Sequence, residues 1–188
     1  MRLFRRRKDA QERFETLVLP HLDALHGVAL RLTRQRQDAE DLVQETCLRA
    51  FRFLNQLEDE GRCRAWLFRI LNNTFINLYR QAQRTPETVA LTEGDAERHA
   101  GMESTEGIPL DQLLDDDLKA ALDALPDEYR AAVLMSDIEE FSYDEIAEIL
   151  GCPVGTVRSR IHRGRGMLRA HLTGVARSRG DAQGGGYA

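Results

Sequence analysis

The segment from Phe141 to Leu168 constrains the fold of this 188-residue chain more than any other. Apolar residues recur at helical spacing on both sides of Gly151 and Pro153, where one helix has to end and another can begin. Ser142, followed three residues later by Glu145, is the pattern of a capping box at the start of the first helix. The segment therefore predicts two helices joined by a tight turn, a helix-turn-helix.

The second predicted helix combines an apolar stripe with a basic face. The stripe runs from Val154 through Val157 and Ile161 when successive residues are placed about 100° apart. The range 154–180 contains seven arginines and no acid, which favours an outward face directed at a DNA major groove. The candidate DNA-binding residues of this helix are Thr156, Arg158, Ser159, Arg160, His162, Arg163 and Arg165.

Acidic and basic residues are unevenly distributed along the chain, which has a net charge of −5. Basic residues outnumber acidic ones by 16 to 11 over 1–85, whereas 86–117 holds one basic and 10 acidic residues. The remainder, 118–188, is nearly balanced, with nine basic and 10 acidic residues. The acid is concentrated in the middle, so the net negative charge does not exclude DNA-binding surfaces on either side of it.

Cysteine usage and hydropathy disfavour several classes of protein. The three cysteines stand alone, without a CxxC pair or matching histidine spacing, so we expect reduced thiols and no metal site. The N-terminal sequence is basic but lacks the apolar segment of a signal peptide. No apolar run approaches the roughly 20 residues that span a bilayer. We therefore expect a cytoplasmic protein without membrane insertion.

Helical periodicity dominates the chain outside its middle and predicts an all-α fold. The segments 12–85 and 113–175 each carry apolar residues at intervals of three and four, so each is expected to form a small helical domain. The acidic segment between them, 86–112, is predicted to be a flexible linker because it holds little that can pack. The tail 176–188 is predicted to be disordered.

A helix predicted over 38–54 presents a charged face with one leucine at its centre. An outward leucine is often without function, because scattered apolar residues are common on protein surfaces. The alternative is a docking surface for another protein, with a small apolar centre and a charged rim. The helical pattern alone leaves both interpretations open. The residues of this face are Asp41, Gln44, Glu45 and Leu48.

A second helix, predicted over 64–83, has an apolar stripe from Leu67 through Leu71 to Leu78. Its opposite side collects arginine, asparagine and the only tryptophan, residue types that can contact phosphates, base edges and unstacked bases. The alternative is a solvated face, with the tryptophan packed against a neighbouring helix. The presence of a second DNA-binding element favours a nucleic-acid surface able to hold a single strand. Its candidate residues are Trp66, Arg69, Asn73, Asn77, Arg80 and Arg84.

Three segments of the chain, in this order, match the motifs of a known family. They read DAEDLVQETCLRAF over 38–51, AWLFRILNNTFINLYR over 65–80 and ALDALPDEYRAAVLMSDIEEFSYDEIAEILGCPVGTVRSRIHRGRGML over 121–168. In these segments the chain resembles an extracytoplasmic-function (ECF) bacterial sigma factor of the sigma-70 family. It is most similar to the group that responds to thiol-oxidative stress, on AEDLVQET, NNTFIN and the run from FSYDEIAEI to GTVRSRIHRGR.

The resemblance implies an alternative sigma factor, which directs core RNA polymerase to stress-response promoters and assists promoter opening. Asp41, Gln44 and Glu45 match the family's surface for the β′ clamp helices of the polymerase. Leu48 is added to that surface from its place on the helix. The second domain is expected to contact the β flap.

The resemblance also implies how the two domains meet promoter DNA. The helix that carries Arg69, Asn73, Asn77 and Arg80 would face the minus-ten element, and the loop 58–64 before it would capture a flipped base. Arg160 and Arg165 are expected to hold phosphate. The family positions that contact the minus-thirty-five element match Arg158, Ser159, His162 and Arg163.

Regulation by a partner follows from the same resemblance. Family members of this size are usually held inactive by an anti-sigma factor, and the resembled group often uses one that is zinc-containing and redox-sensitive. The chain itself is expected to need no cofactor. A direct redox role for Cys47 or Cys63 stays open on the sequence alone.

Two other classes of protein compete with this interpretation. A DNA-binding regulator with a sensing or dimerisation domain would use the helix-turn-helix equally well, but it would have no use for the second basic face over 64–84. An enzyme acting on nucleic acid is disfavoured, because the five histidines form no credible metal set and no carboxylate pair stands in an acid–base context. No catalytic residue is assigned.

Overall fold

The computed structural model describes residues 2–84 and 110–183, with side chains described over 10–78 and 116–175. Within those residues the chain forms helices and turns and no strand, which confirms the all-α prediction. The first domain contains α1 (Arg2–Val18), α2 (Leu22–Thr33), α3 (Arg36–Phe53) and α4 (Cys63–Arg84). The second contains α5 (Leu110–Asp123), α6 (Asp127–Val133), α7 (Tyr143–Leu150) and α8 (Val154–Gln183).

The core of the first domain forms where α2, α3 and α4 pack together, because each helix carries its apolar residues on one face. Leu78 is the exception to the predicted stripe on α4. It is 45% exposed, because it lies at the rim of a cleft between the two domains. The buried residues of these three helices include Leu25, Val28, Ala29, Leu32, Ala39, Leu42, Thr46, Ala50, Leu67, Phe68 and Leu71.

The turn between α2 and α3 depends on an arginine in the left-handed region. Arg34 has φ 63°, and its N–H donates to the carbonyl oxygen of Leu30 at 2.9 Å, closing the last turn of α2. Glycine or asparagine usually occupies this position, because a Cβ is disfavoured there. The side chain of Arg34 crosses to the second domain, where it lies 3.7 Å from Asp127.

The helix-turn-helix forms as its local signals predict. The hydroxyl of Ser142 accepts from the N–H of Glu145 at 3.3 Å, and the carboxylate of Glu145 accepts from the N–H of Ser142 at 2.9 Å. This reciprocal pair is the predicted capping box at the start of α7. Gly151 ends α7 at φ 62°, and α8 begins at Val154.

A π-helical turn, Leu134–Ile138, separates α6 from α7. The N–H of Glu139 donates to the carbonyl oxygen of Leu134 at 3.0 Å, five residues back instead of four. Glu140 then takes φ 53°, which redirects the chain before α7. As a result Glu139 and Phe141 are both buried, and both contact the first domain.

Gly164 allows α6 and α8 to pack closely. A Cβ at this position would lie 2.7 Å from a methyl carbon of Val133 and 3.4 Å from the carbonyl oxygen of Tyr129. No real Cβ tolerates the first of these distances, so the helix pair requires glycine here.

Three helices extend past the domain bounds that the sequence predicts. Helix α1 begins at Arg2, before the predicted start of the first domain at 12. Helix α5 begins at Leu110, within the last residues of the predicted linker 86–112, whose remainder lies outside the described residues. Helix α8 continues to Gln183, into the tail predicted as disordered.

The two domains pack against each other along α4 and α7, and along α2 with α5 and α6. Helical periodicity does not predict this packing of one domain on the other, because the apolar stripes of each domain can be buried within that domain. No helix within 2–84 and 110–183 is both long and apolar enough to cross a membrane.

Candidate nucleic-acid and polymerase interfaces

The recognition helix α8 carries four exposed polar side chains on the side away from its core stripe. Val157 and Ile161 are buried, which turns the intervening residues toward solvent. Thr156 is half-buried, and its carbonyl oxygen accepts from the hydroxyl of Ser159 at 2.9 Å. The candidates exposed on this side are Arg158, Ser159, His162 and Arg163, and Arg165, farther along the helix, is exposed as well.

Two other arginines of α8 form ion pairs within the second domain. Arg160 donates to the carboxylate of Glu128 at 2.8 Å, and Arg165 donates to Asp137 at 3.0 Å. The hydrogen bond from Arg165 holds the pKa of the Asp137 carboxyl below its usual value. These pairs tie α8 to α6 and to the π turn, and they place both guanidinium groups at the edges of the recognition face.

The outward face of α3 has an apolar centre larger than the sequence pattern suggests. Leu48 is 63% exposed and Phe51, three residues on, is 52% exposed, with its ring edge-on to Phe14 at 5.4 Å between centroids. Asp41 and the neighbouring Gln44 are exposed at one side. Phe51 is absent from the predicted surface although its three-residue spacing from Leu48 places it there.

Glu45 is the one predicted member of this face that is held by a neighbour. It is half-buried, and its carboxylate accepts from Nε of Arg49, four residues on, at 2.6 Å. This ion pair joins two residues of the same helix. Breaking it costs little free energy, because exposed ion pairs at this spacing contribute only a few tenths of a kcal/mol to stability.

The polar face of α4 is exposed at the predicted positions from Arg69 to Asn77. Arg69, Asn73 and Asn77 are all exposed, and Trp66 is half-buried at the start of the row. Arg80 and Arg84 continue the helix, but their side chains lie outside the described residues. Three polar side chains in line beside an aromatic ring form a strip that suits an extended single strand.

The loop before α4 is firmly anchored to the first domain. The N–H of Gly61 donates to the Asp59 carboxylate at 2.9 Å, closing a short turn over Glu60–Arg62. Arg13 of α1 also fixes the loop. Its guanidinium donates hydrogen bonds to the carboxylate of Glu60 at 2.9 Å and to the carbonyl oxygen of Leu57 at 3.1 Å. A held loop can offer a preformed pocket to a base.

A cleft of about 420 Å³ opens where this loop meets α4. Trp66 and Arg69 line its first-domain side, together with loop residues 56–59 and Arg62. Glu148 and Ile149 of α7 line its other side. The pocket expected to receive a base is therefore partly walled by the second domain.

Two arginines, one just before α4 and one in its first turn, are held by carboxylates of the second domain. Arg62 pairs with Glu148, and this contact lowers the pKa of the Glu148 carboxyl. Arg64 bonds the carboxylate of Glu139 at 2.7 Å and its carbonyl oxygen at 2.8 Å. The guanidinium of Arg64 also lies 4.2 Å from the ring centre of Phe141, within cation–π range. Sequence reasoning missed these pairs.

A second cleft, of about 750 Å³, lies on the opposite side of the domain contact. Leu42, Phe75 and Leu78 supply apolar walls from the first domain, and Asp41 lies at its edge. Pro126 and Asp127 close it from the second domain. Asp41, which the sequence predicts to bind polymerase, thus borders a groove shared by both domains.

Two of the three cysteines, Cys47 and Cys63, lie where burial disfavours the thiolate. Cys63 is buried, with its Sγ 3.3 Å from the carbonyl oxygen of Leu17, and burial raises the pKa of its thiol. Burial also raises the pKa of the half-buried Cys47. Raised pKa values keep both in the thiol form, which is the poor nucleophile. Across the described side chains, no group of three or more potential metal ligands comes together.

Comparison with known proteins places both domains in one family. Residues 17–85 match the family model described as Sigma-70 region 2, and residues 115–168 match Sigma-70, region 4. The ECF RNA polymerase sigma factor SigE of Mycolicibacterium smegmatis is 44% identical over 87% of this chain. This chain spans 63% of the length of that relative. The RNA polymerase sigma-H factor of Pseudomonas aeruginosa is 34% identical over 81% of this chain and 82% of its own.

A solved structure with the same arrangement of helices is that of the sigma factor RpoE in complex with the anti-sigma factor NepR from Bartonella quintana. It is 32% identical, covers 85% of this chain and 96% of its own, and superposes with a TM-score of 0.67. Fold, domain order and sequence agree: this chain belongs to the ECF sigma factors of the sigma-70 family.

Proposed function

We propose that this protein is an alternative sigma factor, which binds core RNA polymerase in the cytoplasm and directs it to a set of stress-response promoters. The observation that carries the proposal is the pairing of two separate DNA-directed faces in one chain. The strip on α4 suits a single strand, and the exposed residues of α8 suit a duplex. Initiation needs both, since a promoter has to be located as duplex and then opened.

In this mechanism the second domain sets the register on the promoter. Arg158, His162 and Arg163 enter the major groove of the minus-thirty-five element, where a bidentate arginine–guanine contact discriminates by about 1–3 kcal/mol. Arg160 and Arg165 lie at the groove edges and exchange their carboxylate partners for phosphates. No bond is made or broken in the chain itself.

The first domain then stabilises the opened minus-ten element. Unstacking a base costs a few kcal/mol, and capture of that base in the cleft beside Trp66 offsets part of the cost. Arg69, Asn73 and Asn77 follow the displaced strand along α4. The sequence adds Arg80 and Arg84, which lie on the same helix, to the proposed contacts. Binding energy from the loop and the helix is thereby used to favour strand separation.

The outward face of α3 is the proposed docking surface for the β′ clamp helices. Its apolar centre, Leu48 with Phe51, is bordered by Asp41, Gln44 and Glu45, an arrangement typical of protein interfaces. The second domain would meet the β flap at the same time, which holds the two DNA-directed faces at the separation of the two promoter elements.

In vitro transcription tests the proposal directly. Purified chain is added to sigma-free bacterial core polymerase with a promoter pool, and the start sites are mapped. Specific starts are expected. They should be lost with Arg163→Ala, which removes a base contact, and with the double change Asp41→Lys and Glu45→Lys, which reverses the docking charges.

A matched control separates these effects from a general loss of positive charge. Arg169 is exposed on α8, beyond the expected groove contacts, so Arg169→Ala should retain specific initiation. DNA binding by the free chain with no polymerase-dependent start would instead indicate an ordinary DNA-binding regulator, and it would remove the roles given to α3 and α4.

An anti-sigma factor is the proposed inhibitor of this protein. The support is the Bartonella quintana structure, in which a sigma factor of the same fold is held by the anti-sigma factor NepR. Affinity purification of the chain from its own cell should recover a stoichiometric protein that blocks initiation in the reconstituted assay. A purified partner that leaves initiation unchanged would contradict the proposal.

The finer assignment is to the thiol-oxidative-stress group, with a zinc-containing, redox-sensitive anti-sigma factor. The raised thiol pKa values of Cys47 and Cys63 support a sensor that lies outside this chain. Diamide should release zinc and the sigma factor from the purified complex. Release should persist when Cys47, Cys63 and Cys152 are replaced by serine; loss of release would return the sensing role to this chain.

A further inference from the structure

The loop before α4 is fixed by apolar residues at its two ends and by polar contacts between them. Leu57 and Cys63 are buried, whereas every residue of the segment 58–62 is exposed. Exposed residues gain little from apolar burial, so hydrogen bonds and ion pairs have to hold this segment in place. Residues of the segment line the cleft beside Trp66, so the order of the segment decides whether a pocket exists before a base arrives.

Arg13 of α1 uses all three nitrogens of its guanidinium on this part of the chain. Nε donates to the carboxylate of Glu60 at 2.9 Å. Nη2 donates to the carbonyl oxygen of Leu57 at 3.1 Å, and Nη1 donates to that of Leu54 at 3.4 Å. The two leucines are buried where the loop starts, and Glu60 is exposed at its middle. One planar side chain therefore fixes the middle of the loop relative to its start.

The helix that carries Arg13 is itself held firmly, and a donor can position a loop only if its own helix is fixed. The neighbouring Phe14 packs edge-on against Phe51 of α3, with 5.4 Å between ring centroids. One turn farther along α1, the carbonyl oxygen of Leu17 accepts from Sγ of Cys63 at 3.3 Å. Arg13 lies before residue 17, where the match to region 2 begins, so this support comes from outside the matched segment.

Arg13 also changes the charge of the loop. The segment 58–62 carries three carboxylates, at Glu58, Asp59 and Glu60, and each would repel a nucleic-acid strand. The Asp59 carboxylate accepts from the N–H of Gly61, and the Glu60 carboxylate is paired with Arg13. A test of Arg13 therefore has to separate its effect on the shape of the loop from its effect on the charge.

We propose that Arg13 is a positioning residue for promoter opening, which holds the segment 58–62 in the shape that receives the flipped minus-ten base. The proposal rests on the proposed function, because it concerns the same cleft. Arg13 acts through the loop and contacts no base. A loop that is ordered in advance binds the base without the loss of conformational entropy that ordering would otherwise bring.

Loss of Arg13 should weaken open-complex formation, because the apparent affinity for the base falls with the fraction of molecules whose loop has the receiving shape. Arg13→Ala removes all three hydrogen bonds and should weaken the open complex about tenfold. Arg13→Lys keeps the charge, but one ammonium group does not reach three separate acceptors, so its effect should be intermediate. The matched control is Arg36→Ala, an exposed arginine at the start of α3 that also pairs with a glutamate.

The experiment is a double-mutant cycle between the protein and the promoter, with the full-length chain bound to core RNA polymerase. Single abasic sites are placed along the minus-ten non-template strand of a promoter mapped by transcription. The position that most weakens the open complex of the unaltered chain identifies the captured base. Arg13→Ala should be about tenfold weaker than the unaltered chain on the intact promoter and equal to it on the promoter that is abasic at that position. Arg36→Ala should match the unaltered chain on both promoters.

Two further measurements separate shape from charge. The double change Arg13→Ala with Glu60→Gln leaves neither charge, so it should restore open-complex formation if neutralisation were the whole role. It should instead stay about tenfold weaker, because the carbonyl oxygens of Leu57 and Leu54 still lack their donor. Amide hydrogen exchange over 54–62 in the free chain reports the order of the loop itself, and it should be faster in Arg13→Ala but unchanged in Arg36→Ala.

Four results would overturn the proposal. They are an abasic scan in which no position matters, an equal defect of Arg13→Ala on the intact and abasic promoters, full activity of the double variant, and unchanged exchange over 54–62 in Arg13→Ala. Failure of the proposed function is a different outcome: the unaltered chain would then give no specific start with core polymerase, whereas the effect of Arg13 on exchange in the free chain would remain.

Discussion

Arg130 of the second domain donates through Nη1 to the carbonyl oxygen of Leu32 in the first, at 3.1 Å, although the two residues are 98 positions apart. The Arg130 side chain is fully buried, and its other bonds go to Leu122, Leu125, Asp127 and Arg31. Burial lowers the pKa of its guanidinium, which Asp127 partly counteracts. A cation so placed is stable only because every donor direction meets an oxygen.

Replacement of Arg130 by methionine should therefore destabilise the protein strongly. Methionine fills a similar volume but leaves buried carbonyl oxygens without donors, so the free energy of unfolding should fall by about 3 kcal/mol. Urea denaturation followed by circular dichroism measures the change. Arg169→Met, on an exposed part of α8, should stay within about 0.5 kcal/mol of the original chain. Equal stability of the two variants would contradict the buried network.

Gly164 and Gly166 lie two residues apart on α8, and alanine should have opposite effects at the two positions. At Gly164 the added methyl meets Val133 at 2.7 Å and forces α6 from α8, at a cost of about 1–3 kcal/mol. At Gly166 nothing lies within 4 Å, so Gly166→Ala should stabilise the helix by about 0.5–1 kcal/mol. Thermal unfolding of both variants checks the sign of each effect.

The capping box of α7 should give a pH-dependent contribution to stability. Ser142→Ala removes the hydroxyl that caps the helix and should lower the free energy of unfolding by about 1 kcal/mol at neutral pH. Hydrogen bonding from Ser142 lowers the pKa of the Glu145 carboxyl from its ordinary 4.5. A lowered folded-state pKa means that this contribution is present above the ordinary value and is lost as pH falls through the lowered one.

Urea denaturation at a series of pH values measures that dependence. The stability difference between the original chain and Ser142→Ala should shrink as the solution is acidified. Thr173→Ala, which removes an exposed helical hydroxyl, should differ little from the original chain at any pH. A difference independent of pH would show that Glu145 does not contribute through its charge.

The apolar centre on α3 should matter for polymerase binding and not for DNA binding. Leu48→Glu places a charge in a docking surface and should weaken the affinity for core polymerase about tenfold, while stability is unaffected at a site that is 63% exposed. Leu19→Glu, at another exposed leucine, should leave that affinity unchanged. Fluorescence titration of labelled core polymerase measures both variants; equal affinities would remove α3 as the docking face.

Local signals account for what the sequence predicts well. The helix-turn-helix follows from Ser142, Glu145 and Gly151, each of which acts within one turn of its own position. The buried stripes of α2 and α3 follow from 3.6-residue periodicity for the same reason. The exposed positions of α8, such as His162 and Arg163, follow from the same periodicity, because they lie between the buried apolar positions of the helix.

Contacts between the domains could not be predicted in this way. Arg62 and Arg64 resemble any other exposed arginine in the sequence, and their partners Glu148 and Glu139 lie on a different domain. The spacing of Leu78 predicts a core residue, yet its side chain lines the cleft between the domains. Pairing between residues far apart in the sequence depends on how two folded surfaces fit together, and helical periodicity carries no information on that fit.

The π turn at Leu134–Ile138 has a consequence for insertions and deletions in this chain. A π turn is an α-helical turn with one extra residue, so deletion of a single residue there would restore the regular helix. Everything after the deletion would rotate by about 100° relative to α6. Glu139 and Phe141 would then leave the surface of α4 with their chemistry unchanged. The single extra residue in this turn, more than any side chain, sets the orientation of the following segment relative to α6.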